Sequence, residues 1–143
     1  MLSCNQKKIV EENPFFEPYA TQHGVPPFDK IKVEHYIPAF EAGMLQQAAE
    51  IDSIANSTSK ATFDNTIVPL EESGQLLDRV SAVFFALKGA AADSTIQAIA
   101  EEITPKLTEH KDNIYLNNNL FLRIKAIYED SLNTTLNTEQ KRV

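Results

Sequence analysis

The chain has 143 residues, 43% of them hydrophobic and 23% charged, with a formal net charge of −7. That length fits one domain with a sizeable core, and the acidic balance, with no Lys/Arg-rich run, argues against binding a nucleic-acid backbone. No apolar run approaches the roughly 18 residues that would span a membrane, and a single cysteine rules out both an internal disulfide framework and a cysteine zinc site. Only 4 Gly, against many Leu, Ile, Ala, Glu and Gln, favour helix over sheet. The expected fold class is all-α.

Residues 1–12 read as a flexible N-terminus. Within them Met1-Leu2-Ser3-Cys4-Asn5 looks like the tail of a bacterial lipoprotein signal, in which a small residue precedes the lipidated cysteine; the charged start and apolar core of such a signal are missing. Cys4 is therefore a candidate lipid-attachment site. A lipid there would tether the protein to the cell envelope, and without one the expected location is cytoplasmic. Residues 13–30 hold Pro14, Pro18, Pro26 and Pro27, which favour turns or extended chain. Phe15, Phe16, Tyr19 and Phe28 are too many rings for a solvated tail, so this arm should lie against helices and bury them.

The first helix is expected to start between Glu34 and Ile37 and to end near Asn56, with Ile37, Phe40, Met44, Ala48, Ile51 and Ala55 on one stripe. Gly43 inside it costs about 1 kcal/mol of helix propensity, which suggests close approach of another helix. The clearest period in the chain follows. Ile67, Leu70, Leu77, Val80, Phe84 and Leu87 predict one helix over 67–88, roughly 33 Å long. Leu76, Val83 and Phe85 widen its apolar face. Thr66 or Asp64 would cap it, Pro69 would sit in its first turn, and Gly89 would take the left-handed position beyond its end.

A third helix is expected from about Asp93 to Lys111, opened by a Ser94–Gln97 capping box. Ile96, Ile99, Ile103, Leu107 and His110 form its inner side, and Pro105 predicts a kink or break after Thr104. A fourth helix is expected over Asn118–Glu129 with Leu120, Phe121, Ile124, Ile127 and Tyr128 inward. Residues 131–137 read as a loop, and residues 138–143 as the opening turn of another helix, which has no stability of its own. The expected architecture is thus an antiparallel bundle of about four helices with a Pro- and aromatic-rich N-terminal arm, ending incomplete as part of something larger.

Chemistry is sparse. A helical zinc protease site needs two histidines one turn apart and a glutamate beside the first. His23, His35 and His110 are far apart in sequence, and none precedes a glutamate. Each reads as a structural or surface histidine. Glu11-Glu12, Glu71-Glu72 and Glu101-Glu102 are adjacent pairs; on a helix, neighbours diverge by about 100° and do not form a converging acid/base couple. No nucleophile elbow and no phosphate loop is present. These residues specify a helical domain and no reaction, so no catalytic residue and no metal ligand is assigned.

The order of motifs says more. Asn13-Pro14-Phe15-Phe16, then Pro27-Phe28-Asp29-Lys30-Ile31, then Glu34-His35-Tyr36-Ile37-Pro38-Ala39-Phe40-Glu41 follow one another. Next come Phe63-Asp64-Asn65-Thr66-Ile67, Leu70-Glu71, Ser73-Gly74 and Leu77, and later Asn113-Ile114-Tyr115-Leu116-Asn117 with Leu120-Phe121. The series resembles the N-terminal region of bacterial peptidyl-dipeptidases, zinc metallopeptidases of the thimet-oligopeptidase family, over residues 13–143. The resemblance implies a helical, two-lobed enzyme whose narrow channel admits short peptides and which removes C-terminal dipeptides. It implies zinc bound by a H-E-x-x-H motif that this sequence does not contain, so no family ligand or base maps onto any residue here. The implied partners are short peptides and a separate catalytic lobe. On that reading Tyr115, Phe121, Tyr128 and part of the aromatic arm should be left uncovered, facing helices outside this sequence. The alternative is a stand-alone helical module that binds peptides or a protein without cutting them.

Overall fold

The computed structural model describes residues 13–90 and 93–131. Among these residues there is no strand, and the helices are α1 (Tyr36–Ala55), α2 (Val68–Glu72), α3 (Gln75–Ala90), α4 (Ser94–Tyr115) and α5 (Asn118–Ser131). The all-α expectation is met. Cys4, the rest of the flexible N-terminus, most of the loop expected over 131–137 and the short C-terminal turn lie outside the described residues.

Helix α1 is central. Its inner face packs along α3 and α4, and its C-terminal end meets α5. The main core gathers Phe15, Tyr36, Phe40, Leu76, Leu77, Val80, Val83, Phe84, Ile96, Ile99 and Ile103. The rings interlock edge to face: Phe40–Phe84 at 5.4 Å and 88°, Tyr36–Phe84 at 5.1 Å and 64°, with Phe15 5.5 Å from Tyr36. Such pairs add about 0.5–1.5 kcal/mol each beyond the area they bury. The expected place of Leu77 and Phe84 in the core is borne out. Gly43 also explains itself: a Cβ there would lie 3.0 Å from the backbone of Leu77. A side chain there would require α1 and α3 to part by a few tenths of an ångström.

The arm lies on the helices as expected. Phe15 is fully buried, and Phe16 and Tyr19 pack against the core. Arg79 on α3 fastens it, donating to the carbonyls of Phe15 at 2.9 Å and Glu17 at 2.8 Å and sitting 5.6 Å over the Tyr19 ring. Asn13 donates to the carbonyl of His35 at 2.8 Å. Phe28 is not buried with the other rings and stays 53% exposed, the part of the arm that is left uncovered.

The expected single helix over 67–88 is two. Ser73 is extended (φ −73, ψ 151) and Gly74 is left-handed (φ +79). The Ser73 hydroxyl donates to the Leu70 carbonyl at 2.8 Å, closing α2, and the Gly74 N–H donates to the Glu50 carboxylate at 2.8 Å. The left-handed glycine of this region is therefore Gly74; Gly89 lies inside α3. Neither Thr66 nor Asp64 is the cap. Thr62 accepts from the Asn65 N–H at 3.2 Å while Asn65 Oδ1 accepts from the Thr62 N–H at 2.9 Å, a reciprocal box that opens a wide turn over Phe63–Ile67. Pro69 does fall in the first turn of α2.

Helix α4 is capped by Asp93, which accepts from the N–H groups of Thr95 at 3.0 Å and Ile96 at 2.9 Å; Ser94 is its first helical residue. It does not break at Pro105 and continues to Tyr115. Pro105 and Glu101 both lie on the exposed side. The Glu101 carbonyl, which loses its N–H partner to the proline, is therefore open to water.

Candidate functional site

A second, smaller cluster closes the other end of α1. Ile51, Ile54, Ala55 and Leu120 are buried there, with Leu70, Ile114 and Ile124 packed against them. Beneath α5 the inner position is polar. Arg123 is 8% exposed and donates to the carbonyls of Ser57 and Ser59, both at 2.9 Å, to Asn65 Oδ1 at 3.0 Å and to the buried Thr66 hydroxyl at 3.1 Å. A planar guanidinium with its donors in a fixed fork suits this set of oxygens. The 57–66 segment is held to α5 through this side chain.

Arg123 also fixes which way α5 faces. With Leu120, Arg123 and Ile127 inward, the expected inward residues Phe121 and Tyr128 point outward, 58% and 65% exposed. Only one narrow face of α5 is covered, because it packs on α1 and the Phe63–Ile67 turn. Tyr115 and Leu116, at the α4–α5 corner, are 73% and 81% exposed, and Leu122 52%. Leu70, Ile114, Tyr115, Leu120, Phe121 and Ile124 line an open groove of about 380 Å³, closed at its rim by Glu71 and Asn117. The expectation that Tyr115, Phe121 and Tyr128 are left uncovered is met, and Tyr115 and Phe121 border this groove.

The histidines stay apart. His23 is exposed in a short turn, at φ 60. His35 is buried, its Nδ1 accepting from the Lys32 N–H at 3.0 Å. The Nε2 of His110 lies 2.8 Å from Gln47 Oε1, an atom that only accepts, so Nε2 carries the proton. Burial lowers the pKa of this imidazole. Among the described residues no group of three or more His, Cys, Asp or Glu side chains could hold a metal ion, and no helix is long and apolar enough to cross a membrane. Sequence reasoning missed Arg123, because an arginine between Leu122 and Ile124 reads as a surface residue. The polar run Asn56-Ser57-Thr58-Ser59 was the available hint, since its carbonyls need donors.

An apolar recess lined by helices has the character of a binding or packing surface. The chain matches no family model. It is 40% identical to the dipeptidyl carboxypeptidase of Escherichia coli strain K12 over 131 residues, which is 92% of this chain and 19% of that protein. It is 37% identical to the dipeptidyl carboxypeptidase of Salmonella typhimurium over 134 residues, 94% of this chain and 20% of that protein. The oligopeptidase A of Salmonella typhimurium is 24% identical over 125 residues, 87% of this chain and 18% of that protein. The chain is thus a homologue of bacterial peptidases over nearly its whole length. The two relatives at 37–40% identity are both dipeptidyl carboxypeptidases, in line with the motif order, and the chain spans about a fifth of their length.

Proposed function

We propose that this chain is the non-catalytic, N-terminal helical segment of a zinc metallopeptidase that removes dipeptides from the C-termini of short peptides. The observation that supports this reading is 37–40% identity to two dipeptidyl carboxypeptidases across more than nine-tenths of the chain. Zinc does not fit the described residues, whose histidines are separately engaged or exposed. In this reading the metal, which activates water for attack on the peptide carbonyl, is held by parts of the enzyme outside the matched fifth. The contribution of residues 13–131 is a rigid helical wall, with α1 as its spine and the arm fastened across it by Arg79.

Purified chain supplied with zinc should release no dipeptide from a blocked tetrapeptide. Metal-dependent release would overturn the non-catalytic assignment. Saturable binding of the uncut peptide would instead support the stand-alone binding module. A lipid on Cys4 would place the protein at the cell envelope, and without it the reading is cytoplasmic. Fatty-acid labelling that disappears in Cys4→Ser separates the two.

A further inference from the structure

The exposed apolar residues of α5 have a pattern. Phe121 and Tyr128 are seven apart and so share one face of the helix, with half-buried Ile124 at its edge. This is a second apolar stripe, beside the Leu120–Arg123–Ile127 face that packs on α1. Tyr115 and Leu116 extend it around the α4–α5 corner, and the 380 Å³ groove opens next to it. Five of the ten large exposed apolar residues among those described thus fall between 115 and 128; Val25, Phe28 and Val33 lie in the stretch before α1, and Leu45 and Phe85 stand on α1 and α3. A contiguous patch rimmed by polar groups is the mark of an interface.

We propose that this face, formed by Tyr115, Phe121, Tyr128 and the groove lined by Leu70, Ile114 and Ile124, is the seat of an apolar helix from the catalytic body of a dipeptidyl carboxypeptidase. The proposal rests on the reading of the chain as a segment of such an enzyme, and adds which surface joins it to the rest. Two observations select this occupant over a second copy. The relatives carry about four-fifths of their length outside the matched region, a body large enough to supply a helix to this face. The chain's net charge of −7 opposes bringing two copies together. Apolar ridges entering the groove between α2 and the α4–α5 corner would meet aliphatic walls and two aromatic flanks, the composition of an interface centre.

The test uses a chimera in which this chain replaces the matched stretch of the Escherichia coli dipeptidyl carboxypeptidase. The parent chimera should be an active peptidase. Phe121→Ser with Tyr128→Ser should raise its rate of thermal inactivation about tenfold, while Leu45→Ser, on an exposed site away from the patch, should leave it unchanged. In the isolated chain the double variant should melt as the parent does, since these side chains are already in water. An inactive parent chimera would overturn the segment reading and the docking face with it. An active chimera indifferent to the double substitution would overturn the docking face alone. Sedimentation of the isolated chain as a dimer that Phe121→Ser dissociates would assign the face to a second copy and overturn the proposed occupant.

Discussion

The cluster around Phe84 and the cluster around Leu120 are threaded on the same helix, α1, and are closed by opposite means. The first is sealed on every side by apolar groups, including a ring from the arm, with Phe15, Phe40 and Phe84 fully buried. The second is small and aliphatic. On one flank a charged side chain closes it, with Arg123 satisfying four oxygens; on the other it opens into the groove beside Phe121. A sealed cluster derives its strength from packing density. A half-open one depends on hydrogen bonds made by few residues, and leaves apolar surface for something else to cover.

Substitutions can test that contrast. The largest loss is expected in the sealed cluster: Phe84→Ala should cost about 3–5 kcal/mol and Leu77→Ala about 2–5 kcal/mol in denaturant unfolding. Unchanged midpoints would mean that the ring cluster is not the stabilising centre. In the half-open cluster, Arg123→Met should cost about 2–3 kcal/mol although it replaces charge by apolar volume, because the Thr66 hydroxyl and two carbonyls lose a charged donor. Arg123→Lys should rescue only part of this, as one ammonium does not reproduce the fork. Full stability of Arg123→Met would show that packing alone holds α5.

The smallest expected effect lies between the clusters, at His110. Burial holds its pKa below the ordinary value, so the unfolded chain takes up the proton more readily than the folded one. Stability should therefore fall as pH drops through the unfolded value, about 6.5, toward the lower folded one, and be indifferent to this group above it. Melting curves between pH 7.5 and 5 should show a shallower acid loss in His110→Gln, an outcome that a surface-exposed imidazole would not produce.

Periodicity made the sealed cluster legible: Phe40, Leu77, Val80, Phe84, Ile99 and Ile103 all stand where spacing placed them. It failed where the determinant was a single local conformation. The Ser73-Gly74 break leaves the apolar stripe in phase on both sides, so the pattern runs through it unmarked, and only the turn-forming dipeptide signals it. Pro105 does not end its helix, because its outward position leaves the freed Glu101 carbonyl open to water. The facing of α5 was hidden because Leu120, Phe121, Ile124, Ile127 and Tyr128 are all apolar. The choice among them is made by Arg123, whose partners lie in a loop more than fifty residues earlier. The uncovered surface was foreseen from resemblance, and its location from the aromatic residues near the C-terminal helices.

Both arginine clasps reach backward along the chain. Arg79 fastens carbonyls 62 and 64 residues before it, and Arg123 those 64 and 66 residues before it. On a ribosome each clasp arrives after the segment it secures, by on the order of 3–13 s at ordinary rates of synthesis. For that interval the arm, and later the 57–66 loop, would lack its arginine clasp on the growing polypeptide and rest on contacts closer in sequence, such as that of Asn13 to His35. The timetable of translation thus leaves a window in which these two segments are more open to proteases or chaperones than they are in the finished fold.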